Sequence, residues 1–177
     1  MRKCKICKTP YQPRNSLQKV CSPPCAIAAV KEQKAKAWRK EKRKRKEQLK
    51  SKRELLRDAQ KEFNAYIRAR DHAEPCISCG RFHQGQWHAG HYRTTAAAPQ
   101  LRFDEDNCHK QCQPCNTHLS GNLVEYRIRL KEKIGAERLQ ALETNNDLAR
   151  WTRDEIREIR DHYRQKLKLI KSTNVRS

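Results

Sequence analysis

Apolar residues recur at helical spacing in three stretches of the chain. Toward the C-terminal end, Ile156, Ile159, Tyr163, Leu167 and Ile170 return every three or four positions. They follow Thr152 and Glu155, which have the spacing of a capping box. A final helix with one packed face is predicted, with KSTNVRS as a frayed tail. Leu119, Leu123, Tyr126, Leu130 and Ile134 line a second helix that stops at Gly135. Residues 136–143 give a further turn or two, broken by TNND at 144–147. The third stretch is the longest. From Ala26 to His72 there is neither proline nor glycine, and the segment reads as one continuous helix. Its first half has Trp38 as its one large apolar residue over 31–48. In its second half Leu49, Leu56, Phe63 and Arg70 fall seven apart, near Leu55, Ala59, Tyr66 and Ile67. That stripe and the face of the last helix are the surfaces available for a homodimer, which is expected. QWHAGHY, at 86–92, reads as a short strand.

Charge changes the picture of the long helix. The 177 residues carry 41 Lys and Arg against 20 Asp and Glu, a formal charge of +21. Residues 31–62 alone hold 15 basic and 6 acidic side chains. A polyanion is the natural counterpart of such a surface, and nucleic acid binds it through salt-dependent phosphate contacts. Lys36, Arg39, Lys40, Lys42, Arg43, Lys44, Arg45 and Lys46 are the expected backbone contacts. The blander reading is a solvated helix with i,i+4 pairs such as Lys50 with Glu54. The opening MRKCKICKTP has no apolar run of a secretory signal, and no stretch approaches the roughly 20 apolar residues of a membrane span. Neither membrane association nor a disulfide framework is expected. No P-loop or dinucleotide fingerprint is present, and no repeat is convincing.

Nine cysteines then organise the rest. Cys4, Cys7, Cys21 and Cys25 read as an N-terminal zinc knuckle whose last two members open a helix, with room for a hairpin in TPYQPRNSLQKV. Cys76, Cys79, Cys112 and Cys115 form two Cys-x-x-Cys pairs that complete a second tetrahedral site, so about two structural zinc ions per chain are expected. Cys108 is left over as a buried apolar residue, although it or His109 can also replace a cysteine of that site. Segments 1–25, 26–72, 73–135 and 136–177 are the expected divisions: knuckle, basic helix, zinc-supported module and C-terminal helices. The fold class is α+β.

Between the pairs stand residues suited to phosphodiester hydrolysis, which needs an activated water and positive charge at the phosphate. His91, ending the strand after Gly90, is the candidate general base, and Gly90 allows backbone or substrate to approach. Asn107 suits a brace. Asn116 and His88 are candidates for a catalytic Mg²⁺ or Mn²⁺, with His118 and His109 as rivals, and Arg93 or Arg102 for clamping the phosphate.

The order of a knuckle, a strand-final histidine, NxxxxC and CxxCN resembles the zinc-stapled HNH endonucleases, whose core is a ββα-metal, treble-clef fold. That resemblance implies His91 as the water-activating base, Asn107 as the middle asparagine and Asn116 in the metal-facing position. Gly90 stands where an aspartate or histidine is usual, and His88 is the nearest replacement. Over its whole length, through MRKCKICKTPYQPRN and GHYRTTAAAPQLRFDEDNCHKQCQPCNTHLSGN, the chain is similar to the NinG (Rap) recombination proteins of lambda-like bacteriophages. This similarity implies an endonuclease for Holliday junctions and D-loops, working beside phage and host recombination proteins in the bacterial cytoplasm. A binding protein that holds branched DNA without cutting it is the alternative, and a zinc-finger regulator a weaker third.

Overall fold

A computed structural model describes residues 1–173 of the chain, which divide into two compact units, one of residues 1–50 and one from residue 51 on. The four expected segments are regrouped accordingly: the long helix is divided between the units, and the C-terminal helix belongs with the central module. Among the described residues no helix is long and apolar enough to cross a membrane.

In the first unit, strand β1 (Arg2–Lys3) pairs antiparallel with β2 (Pro10–Tyr11). The hairpin therefore flanks the Cys4/Cys7 turn, rather than lying within TPYQPRNSLQKV. Sulfurs of Cys4, Cys7, Cys21 and Cys25 lie within 4.8 Å of one another, a set that could hold a zinc ion. Helix α1 (Pro23–Leu49) follows Ser22 at once, with proline in its first turn where a missing N–H costs nothing. Cys25 sits in that first turn. No residue of α1 is buried, and i,i+4 pairs such as Lys36 with Glu32 (2.6 Å) decorate it.

The expected continuous helix from Ala26 to His72 does not form. Lys50 is extended (ψ 133°), and Ser51 caps a new helix, α2 (Lys52–Arg70). Ser51 Oγ accepts from the Glu54 N–H (3.3 Å), while the Glu54 carboxylate accepts from the Ser51 N–H (2.8 Å). A capping box needs neither proline nor glycine, so a search for helix breakers misses it. Lys50 pairs with Glu47 (2.6 Å).

In the second unit, α2 buries Leu55, Ala59, Phe63, Tyr66 and Ile67 against Ile156 and Tyr163 of helix α5 (Arg153–Thr173). Phe63 makes edge contacts with Tyr163 (4.8 Å) and Phe103 (5.8 Å). Leu49, first of the seven-residue series, is 83% exposed. The two surfaces expected to be open to a second copy thus cover each other within one chain. Helix α5 runs through Lys171 to Thr173, and residues 174–177 of the expected frayed tail lie outside the described residues.

The strand expected at QWHAGHY is β3 (Trp87–His91), paired antiparallel with β4 (Cys108–Cys112) from Trp87↔Cys112 to His91↔Cys108. This hairpin is the middle layer. Ala89 and Cys108 face the α2–α5 core. On the other side Tyr126, from helix α3 (Leu123–Ile134), donates its hydroxyl to the Gly90 carbonyl (2.9 Å). Helix α4 (Ala136–Thr144) turns away at Gly135, whose φ of 87° favours glycine, and closes a core with Leu101, Leu130, Leu139 and Leu142. Helix α3 begins at Leu123, not at Leu119. Pro114–His118 form a short π-type turn, and Leu119 is exposed.

Two outcomes follow. Phe63→Ala should lower the stability of the second unit by about 3–5 kcal/mol, read as a shift of its urea midpoint. Metal analysis should find about two zinc ions per chain, with Cys21→Ser and Cys112→Ser each losing one.

Candidate functional site: the β3 edge and its four-cysteine frame

The frame is set by two tight turns. Gly80 N–H bonds the Cys76 carbonyl (2.8 Å), closing the first, and the Cys112 N–H points at Cys76 Sγ (3.4 Å). The sulfurs of Cys76, Cys79, Cys112 and Cys115 lie within 4.8 Å of one another, a second set that could hold a zinc ion. Cys108 and His109 stand apart from it. Cys108 is buried in the α2–α5 core, and burial pushes its thiol pKa well up. His109 lies on the opposite face, its Nδ1 3.4 Å from the Tyr126 hydroxyl. Burial, reinforced by Arg70, lowers its pKa to about 3. His83, which the sequence reading passed over, places Nε2 3.1 Å from Cys79 Sγ. Its position four residues after Cys79 was the available signal.

His88 and Asn116 are brought together: Asn116 Nδ2 lies 2.8 Å from His88 Nδ1. The strand delivers the histidine, and the turn started by Pro114 delivers the asparagine. Both line an open pocket of about 510 Å³ along β3, shared with Trp87, Ala89 and, from α2, Asn64 and Arg68. Nothing in the sequence marked Asn64 or Arg68, because the packing of α2 beside β3 is a tertiary fact.

His91 is not joined to that pair. Strand side chains alternate, so residues three apart face opposite sides. His88 shares a face with Gly90 and Gln111, while His91 shares one with Ala89 and Cys108. Its Nε2 lies 2.9 Å from the Arg102 carbonyl, which makes Nε2–H the donor and leaves the lone pair on Nδ1, 3.7 Å from Cys108 Sγ. Burial holds its pKa below the ordinary value, with the Arg102 charge adding to that and the bond to the Arg102 carbonyl opposing it. The imidazole is accordingly neutral at pH 7.

Gly90 has a different explanation from the one expected. A Cβ there would collide with the Gln111 side chain, which is buried and donates to Ser78 Oγ and the Gly121 carbonyl (both 2.6 Å). The space is filled from the neighbouring strand, and no side chain of any kind can stand at 90 without displacing Gln111.

Asn107 is fully buried. Its Oδ1 accepts from the Arg93 N–H (2.8 Å), and Nδ2 donates to the carbonyls of Arg93 (3.0 Å) and Leu101 (3.1 Å). It ties down the loop that follows His91. Neither arginine expected at the phosphate is free for it. Arg93 Nη1 donates to the carbonyls of Leu142 (2.8 Å) and Asn145 (2.6 Å), closing the end of α4. Arg102 reaches Gln60 Oε1 (3.2 Å) and the Thr95 carbonyl (3.4 Å). In the first unit, Lys36, Arg39, Lys40, Lys42, Arg43, Lys44, Arg45 and Lys46 are all exposed, as is His118 in the second.

No solved structure matches this chain. Among curated proteins it is 46% identical over 190 residues to the protein ninG of Escherichia phage 933W, with 97% of this chain and 94% of that one covered. It is 43% identical over 192 residues to the protein ninG of Escherichia phage lambda, at 97% and 94% coverage. The protein ninG of Salmonella phage P22 is likewise 43% identical, at 97% and 95%. A family model described as bacteriophage lambda NinG protein matches residues 1–173. With its sequence similar to these phage proteins nearly from end to end, the chain belongs to the NinG family.

Proposed function

We propose that this chain is a metal-assisted DNA endonuclease of the zinc-supported HNH type. Its ββα-metal core would be β3, β4 and the turn and helix after them. Its substrates are branched recombination intermediates, Holliday junctions and D-loops, met in the cytoplasm of the infected bacterium beside phage and host recombination proteins. Two copies on one junction place a site at each strand to be cut. The observation that carries the reading is the contact of Asn116 with His88 in an open pocket anchored on a four-cysteine frame.

Asn116 Nδ2–H occupies the imidazole lone pair that a cation would take, and rotating the amide presents its oxygen instead. His88 and Asn116 would hold a Mg²⁺ or Mn²⁺ ion, which would supply positive charge against the phosphate and the departing 3′ oxygen. For His91, neutral and held by the Arg102 carbonyl, to take the proton of the attacking water, its ring must turn Nδ1 from Cys108 toward the pocket. Asn107 keeps the loop after it in place. The second reading, a protein that holds branched DNA without cutting it, draws on one specific feature. His91 faces away from His88 and has Nδ1 against Cys108.

On a synthetic four-way junction, the protein should produce nicks with 5′-phosphate and 3′-hydroxyl ends in Mg²⁺ or Mn²⁺. His91→Ala should slow this by about 100-fold or more, with zinc content and junction binding retained. Binding without nicks in either metal would leave the second reading standing. Because burial lowers the His91 pKa, the nicking rate should stay level as pH falls to about 6.5 and decline only below it. A decline that begins above pH 7 would assign the base elsewhere. Imidazole suits Mn²⁺ better than Mg²⁺, which demands oxygen donors. His88→Asp should therefore raise the ratio of the Mg²⁺ rate to the Mn²⁺ rate, and an unchanged ratio would remove His88 from the metal.

A further inference from the structure

Helix α2 carries a second basic surface, distinct from that of α1. Arg53, Arg57, Lys61 and Arg68 are all exposed, and at about 100° per residue they fall within about 80° of arc on one side of the helix. No hydrogen bond or ion pair engages any of the four among the described residues. Of the three acids of α2, Glu54 completes the capping box, Asp58 is half-buried, and Glu62 pairs with Arg164 of α5 (3.0 Å). From Arg53 to Arg68 the ridge is about 22 Å long at about 1.5 Å per residue. That length matches roughly six phosphates along one strand of B-DNA. Its far end is the pocket where Asn64 and Arg68 stand over His88 and Asn116.

We infer that Arg53, Arg57 and Lys61 form a track for one DNA strand leading into the β3 pocket, and that Arg68 at its end anchors the phosphate there. Arg93 and Arg102 are tied to protein carbonyls and an amide, so Arg68 is the guanidinium lining that pocket that remains available. A row of cations at this spacing positions a backbone without reading bases, which suits recognition by shape. Where the strand leads rests on the nuclease reading, whereas the binding itself does not.

The test uses a fluorescein-labelled four-way DNA junction titrated by anisotropy in Ca²⁺ at several salt concentrations, with the full chain. Arg53→Gln/Arg57→Gln/Lys61→Gln should bind at least tenfold more weakly at about 100 mM salt, and the slope of log affinity against log salt should fall by about two to three. Circular dichroism should be unchanged. Removing the same charge at Lys131, Lys168 and Lys171, exposed on α3 and α5, should alter the slope by less than one. Equal losses in the two variants, or no loss on the ridge, would overturn the track. Arg68→Gln should lower the nicking rate in Mn²⁺ at saturating protein more than tenfold while weakening binding less than threefold. Nicking at the unaltered rate would remove Arg68 from the phosphate. If the unaltered chain makes no nicks but the ridge variant still loses its salt slope, the track stands and the nuclease reading falls.

Discussion

Convergence of Cys76, Cys79, Cys112 and Cys115 on one point is the constraint on which the second unit depends. One pair lies in a turn after α2 and the other at the end of β4, so bringing the sulfurs within 4.8 Å fixes where β4 ends relative to the first knuckle. The rest follows from strand geometry. With Cys112 opposite Trp87, the register puts Gly90 opposite His109 and His91 opposite Cys108. A one-residue slip would turn every side chain of β3 to the other face. The Tyr126 hydroxyl on the Gly90 carbonyl and the Asn107 amide on the loop after His91 hold the same register at the end away from the four cysteines.

The same register separates the polar groups. His88 is directed to Asn116 at the pocket, and His91 to the aromatic core beside Phe63, with its ring centroid 6.0 Å from that ring. Burial keeps His91 neutral, a state useful to a base, yet it also sets Nδ1 against Cys108. The β3 edge and the exposed side of α2 meet at one pocket, and its polar lining comes from three segments distant in sequence.

Much of the frame was legible in the sequence because metal-ligand spacing is a local property. Both four-cysteine sets assemble as their spacing implied, Cys25 opens a helix, and Thr152 with Glu155 caps α5. The apolar series from Ile156 to Ile170 is the face that α5 buries. Where reading failed, a local signal was outweighed or a packing partner was needed. The Ser51–Glu54 box was written in the chain but hidden by the absence of breakers. The stripe of α2 pointed to some partner without saying that it was α5, since heptad spacing describes a face and not what covers it.

By itself, then, the sequence determined the two cysteine frames, the helical faces, the basic charge and the residue types gathered between Cys76 and Cys115. Those are consequences of spacing and composition along one dimension. The tertiary structure alone decided that Gly90 yields its space to Gln111, that Arg93 and Arg102 hold carbonyls, that His88 and not His91 meets Asn116, and that Arg68 stands at the pocket. Each depends on which side chains from separate segments compete for the same volume or the same hydrogen-bond acceptor, and that competition exists only once the segments are packed.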